Sequence, residues 1–200
     1  MTTDGSPRRH DPERADRIIE ATLDLIAEHG LAGATYRTVA DAAGVPLGSM
    51  TYHFPSRGDL LFAAFSRFAD VAFTPLDETM ADPDEDPREQ LVRIVLTDEG
   101  LRDRVLLAEL YVLSFREERY AELTRDWMRR ARDAISPRVT GANGTSSVSP
   151  VSPAVLDAVQ EGLGLHRYFL PEEYPEALVR ATFDALIPAA KTDTDGGAPA

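Results

Sequence analysis

Between Thr35 and Arg57 the chain gathers side chains suited to recognition rather than to bond breaking. Gly48, Ser49, Thr51, Tyr52 and His53 follow one another almost without interruption, with Met50 and Phe54 as apolar anchors. Hydroxyls, a phenol and an imidazole on one short helix can exchange hydrogen bonds with base edges and phosphate oxygens. Pro46 and Leu47 open this stretch. Thr35, Arg37 and Arg57 flank it, the two arginines and Tyr52 being suited to phosphates. Phosphates repel carboxylates, and from Leu31 to Gly58 the only carboxylate is Asp41. An ordinary helical hairpin in a core is the plainer alternative, because two short helices joined through glycine are common. The acid-free window favours a surface that meets DNA.

Two further polar residues sit in apolar company. Glu109 has Val105, Leu106, Val112 and Leu113 at i−4, i−3, i+3 and i+4, a setting that is costly for a carboxylate unless it is paired. Two roles stay open for it: a buried ion pair with Arg125, Arg167 or Arg180, or a polar anchor in a mostly apolar pocket. His166, among Gly162, Leu163, Phe169 and Leu170, reads either as a core or dimer-interface histidine or as part of such a pocket. Catalytic chemistry has no comparable signature. His10, His29, His53 and His166 are scattered without zinc spacing, and no phosphate loop or nucleophile elbow occurs. No catalytic residue, metal or cofactor is expected.

The elements that must position the polar stretch can be read from local signals. Thr35 is an N-cap, and Val39, Ala40 and Ala43 give the following helix an apolar face. Gly44 stands where a helix stops in a left-handed turn, and Pro46 suits the first turn of the next helix. Ser56 and Asp59 form a capping box that starts a fourth helix with Leu60, Leu61, Ala64, Phe65, Phe68 and Ala72 on one side, ending or kinking at Pro75. Upstream, Asp11 and Pro12 start a helix with the stripe Ala15, Ile18, Ile19, Thr22, Leu23 and Ile26, which Gly30 ends.

The run VADAAGV, then GSMTYHF, then PSRGDLL resembles the helix-turn-helix of the TetR family of bacterial transcriptional regulators, with the motifs in order from about Ala15 to Phe65. The resemblance implies an all-α fold: an N-terminal three-helix DNA-binding domain over 11–57 and a C-terminal helical effector-binding and dimerisation domain over 58–190. It implies a homodimer on double-stranded, palindromic operator DNA, most simply a repressor released by a small, mostly apolar effector. Leu47 stands where the family often has a basic residue and Thr51 where it usually has an aromatic, so docking mode follows but operator sequence does not. An effector-independent activator or DNA-organising module is the alternative. An enzyme in the C-terminal helices is a third reading.

Residues 1–10 read as a disordered basic arm, able to reach a minor groove or serving as a soluble tail. ADPDEDP (81–87) reads as an exposed loop of solvated charge, after which Asp86 caps a helix. The stretch 102–115 is apolar around nearly its whole circumference and is expected to be buried, and a further helix should run from about 118 to 135. Phe65, Phe68, Leu106, Glu109, Tyr111, Leu113, Trp127 and His166 are the expected effector lining. A low-complexity linker spans about 140–153, two helices follow at about 154–170 and 173–189, and 191–200 is a disordered tail. In the family the last two helices pair with those of a second subunit, and Gly162 and Gly164 would permit close packing.

Of the net charge of −13, residues 1–60 carry little, with six arginines against nine acids; the remainder has 15 basic and 25 acidic residues. The acidity therefore lies mostly away from the DNA-facing stretch and predicts weak non-specific affinity. With 43% hydrophobic residues the chain can build a core, and with no cysteine it has no disulfide. No run approaches the ~20 apolar residues of a membrane span and the polar start does not resemble a signal peptide, so a soluble cytoplasmic protein is expected.

Overall fold

The computed structural model describes residues 13–97, 100–139 and 150–188. The N-terminal arm, the Asp11–Pro12 cap, most of the 140–153 linker and the 191–200 tail lie outside the described residues. All regular structure among the described residues is helical. They form two compact units: one takes the residues up to Val71 with the stretch 99–124, the other 72–98 with everything from Arg125 onward.

In the first unit, α1 (Glu13–Gly33) buries Ile18, Thr22, Leu23 and Ile26, one stripe at helical spacing. Thr22 is tolerated there because its hydroxyl donates to the Ile18 carbonyl at 2.7 Å. Gly30, at φ 68° and ψ 178°, breaks the helix shortly before its end. α2 (Tyr36–Ala42), α3 (Leu47–His53) and α4 (Arg57–Ala72) follow in quick succession, α2 packing on α1 and α3 on α2. α7 (Gly100–Ser114) lies against α1, where Arg102 reaches Asp24 at 2.8 Å and Glu20 at 3.3 Å. The expected burial of α7 on all sides is not found. Leu106, Leu110 and Leu113 point inward, while Leu101, Val112 and the following Phe115, 91% exposed, face out. The helix covers the outside of its unit instead of threading its centre.

The second unit holds α5 (Thr74–Met80), α6 (Pro87–Leu96), most of α8 (Glu118–Val139), α9 (Pro153–Phe169) and α10 (Glu176–Leu186). Leu91, Val92 and Val95 of α6 pack with Ile135 and Val139 of α8, Leu156 of α9, and Val179 and Phe183 of α10. Pro75 does more than end α4: it sits in the first turn of α5, where its missing N–H goes unused. α8 runs two residues past Pro137, and α10 starts at Glu176, after Pro175, rather than at 173. The acidic loop is also braced rather than freely solvated. Glu85 takes two hydrogen bonds from Arg93 at 2.8 and 2.6 Å, and Asp86 caps α6 through the Arg88 amide at 2.9 Å. The Arg88 side chain bonded to Asp86 holds that carboxyl below its ordinary range. Arg138 donates to the carbonyls of Pro83 and Glu85 and to buried Gln90, whose amide reaches the Asp82 carbonyl.

Candidate nucleic-acid interface

α2 is fixed at both ends by its own sequence. Thr35 accepts from the Thr38 amide at 3.2 Å while the Thr38 hydroxyl accepts from the Thr35 amide at 2.9 Å, a capping box with threonine in the place of the usual Glu or Gln. Gly44, at φ 64°, makes the turn, and the Val45 amide returns to the Ala40 carbonyl at 3.0 Å. Pro46 is the residue just before α3 rather than inside it. Met50 is fully buried and Phe54 nearly so, and these two anchors hold α3 by one face.

The opposite face stands clear of the fold. Pro46, Leu47 (53% exposed), Gly48, Thr51 and Tyr52 (73% exposed) are on the surface, and Ser49 and His53 are half-buried beside them. The Tyr52 ring meets the His53 ring edge-on at 5.0 Å. Thr35 and Arg37 are exposed at the start of α2. The structure thus brings together, on two adjacent short helices and the residues that cap them, nine of the ten residues singled out from sequence. Arg57 is the tenth, and its guanidinium is committed elsewhere: Nε donates to the Ala34 carbonyl at 2.8 Å and Nη2 to the Leu31 carbonyl. It ties the start of α4 to the last turn of α1 and the residue just beyond it.

The residues expected to line an effector site are distributed over both units. In the first, Phe65, Phe68, Leu106 and Leu113 are buried, and Tyr111 and Glu109 are half-buried. A Cβ added at Gly30 would lie 3.4 Å from Glu109 Oε1, so this carboxylate faces the break in α1. Glu109 forms no ion pair among the described residues. Arg180 is held by Glu89 and Glu176, and Arg167 donates to the Tyr174 carbonyl at 2.6 Å. In the second unit Trp127 packs 4.4 Å from the Phe73 ring, whose centroid is 4.6 Å from the Arg130 guanidinium carbon. His166 is exposed, with Nδ1 3.0 Å from the Tyr174 hydroxyl.

Residues 18–64 match the model of the family described as bacterial regulatory proteins, tetR family. The similarity extends far beyond that segment: SCO7518 of Streptomyces coelicolor A3(2), described as a transcriptional regulator, is 39% identical over 88% of this chain and 99% of its own, with a TM-score of 0.76. The chain belongs to the TetR family. The multidrug binding protein EbrR, solved with ethidium, is 29% identical over 88% of this chain and 99% of its own, at a TM-score of 0.69. The transcriptional repressor KstR2 of Mycolicibacterium smegmatis is 25% identical over 138 residues, 62% of this chain and 65% of its own. The chain spans less than two thirds of the length of the curated relatives it matches.

Within this TetR-type head, the sequence hid the parts that lock the helices together. The Tyr36 hydroxyl donates to the carbonyl of Phe54, the residue that closes α3, and burial followed by the nearby Asp59 pushes its phenol up. No local signal links positions 36 and 54. Thr38 could have been found as the third helical residue after a threonine cap. The Ser56–Asp59 box is as expected: Asp59 Oδ2 accepts from the Ser56 amide at 3.1 Å and hydroxyl at 2.7 Å, and the Asp59 amide donates to Ser56 Oγ at 3.1 Å. No helix among the described residues is long and apolar enough to cross a membrane.

Proposed function

We propose that the protein is a homodimeric transcriptional repressor that reads a palindromic operator with α3 and leaves it when a small, mostly apolar effector binds. The observation that carries this reading is the outward face of α3. A seven-residue helix with Leu47, Gly48, Thr51 and Tyr52 turned to solvent, anchored by fully buried Met50, has little to contribute to a core. Its size and exposed polar groups suit a major groove. Two symmetry-related copies then meet half-sites about one helical turn apart.

The effector class is supported by EbrR, whose solved complex holds ethidium, a flat aromatic cation. Dimerisation through α9 and α10 is supported by the apolar side chains those helices leave exposed, among them Leu165, Tyr168, Phe169 and Leu178. The test is selection from a random duplex library, followed by footprinting of the DNA flanking the protein's own gene and titration of the complex with ethidium, beside an unrelated DNA-binding protein on its own site as the control for intercalation of the dye. The expected result is one protected palindrome whose occupancy falls as the dye is added. Enrichment of no duplex overturns the DNA reading. A footprint indifferent to every flat apolar ligand tried favours the effector-independent alternative.

A further inference from the structure

Arg119, in the first turn of α8, lies over the start of α4. Its guanidinium carbon is 5.5 Å from the Phe62 ring centroid and 5.0 Å from that of Tyr120, and the two rings meet edge-on at 5.7 Å. Nη1 is 3.9 Å from Asp59 Oδ1, and Nη2 is 3.2 Å from Glu117 Oε2. A Cβ placed on Gly58 would stand 2.7 Å from Nη2. The guanidinium therefore rests directly on the bare backbone of Gly58, beside the Asp59 carboxylate that closes the α4 capping box.

A cation at a helix N-terminus is opposed by the helix dipole. Glu117 could neutralise Arg119 without any help from α4, so charge balance alone does not explain the seat. What α4 offers is shape: a glycine with no side chain, a ring face at Phe62, and Tyr120 fixed behind it at 1% exposure. Only Phe54, Pro55 and Ser56 separate α3 from α4, and Tyr36 and Arg57 hold both ends of that connection. A shift of the first turn of α4 is passed to the reading helix with little slack.

We propose that Arg119 is a positioning residue for DNA binding: seated on Gly58, it holds the first turn of α4 and hence the reading helix in the register that the operator requires. This rests on the DNA reading of α3. The test uses the full chain and the duplex that the wild-type protein selects. Gly58→Ala adds one methyl group, and the atom it meets is the free end of a flexible side chain, so the guanidinium swings aside and the fold remains. Alanine also favours the helix over glycine. The expected result is an unchanged or higher melting midpoint with operator affinity about tenfold weaker, the same loss in Arg119→Ala, and no further loss in the double variant, because both changes break one contact. Gly58→Ala binding like the wild type, or losses that multiply in the double variant, would overturn the proposal while leaving the DNA reading intact. A wild-type protein that selects no duplex sinks both.

Discussion

Arg57 braces the first turn of α4 against the end of α1. By type and position it suits a phosphate, yet its guanidinium donates to the Leu31 carbonyl in the last turn of α1 and to the Ala34 carbonyl just beyond it. Arg57→Ala should therefore show first in stability. Two charge-assisted hydrogen bonds, one partly screened by water, are worth about 1–2 kcal/mol together, or roughly 2–8 °C of melting midpoint for a chain of this size. An unchanged midpoint with a shallower salt dependence of operator binding would return Arg57 to the phosphates. Glu109 should behave in the opposite way. Loss of one partner of a buried ion pair costs about 3–5 kcal/mol, but Glu109 forms none among the described residues, and Glu109→Gln should change stability by less than about 1 kcal/mol. Thermal melting measures the cost, and a drop of ten degrees would mean that the carboxylate has a partner after all. The accompanying ligand titration tests the anchor role separately: weaker release of the operator by ethidium in a fully stable variant is the expected outcome.

At the scale of elements, legibility follows the distance between partners in the chain. The Thr35 cap, the Gly44 turn and the Ser56–Asp59 box are decided within four residues, and each forms as its residues suggest. Tyr36 with Phe54 and Arg57 with Leu31 join positions 18 and 26 apart, which no periodicity reveals. The sequence of α7 misleads for a related reason: an apolar circumference shows that a helix could be surrounded, not that its own chain surrounds it. α9 offers a test by pH. Burial, and then the like charge of Glu161, pushes the Asp157 carboxyl up to about 6, with Arg132 working against them. The folded state therefore holds this proton more tightly than the unfolded chain, and stability drains away as pH rises from about 4 through 6. Asp157→Asn should be the more stable form at pH 7.5, by about 1 kcal/mol once solvent screening is allowed for, and its advantage should fade as the pH is lowered through that window. An advantage independent of pH would place its origin elsewhere.

For the whole molecule the first question is the number of subunits. Nothing lies within 4 Å of where a Cβ would stand on Gly162 or Gly164, so a side chain there meets no obstacle inside one protomer. Light scattering at micromolar concentration should give a dimer, and Gly162→Arg a folded monomer that no longer retards the operator. A monomeric unmodified protein would remove α9 and α10 from the dimer reading. The net charge of −13 bears on selectivity: non-specific duplex should bind weakly and dissociate at modest salt, while the selected operator persists. The aromatic cluster at the head of α5 has an optical consequence. Trp127 is the only tryptophan in the chain, and its indole lies beside Phe73 with a guanidinium close by. All indole emission thus comes from a single spot in the second unit, giving the protein a built-in fluorophore. A dye lodging nearby would quench it or draw energy from it, and its uptake could be timed against DNA release without attaching a label.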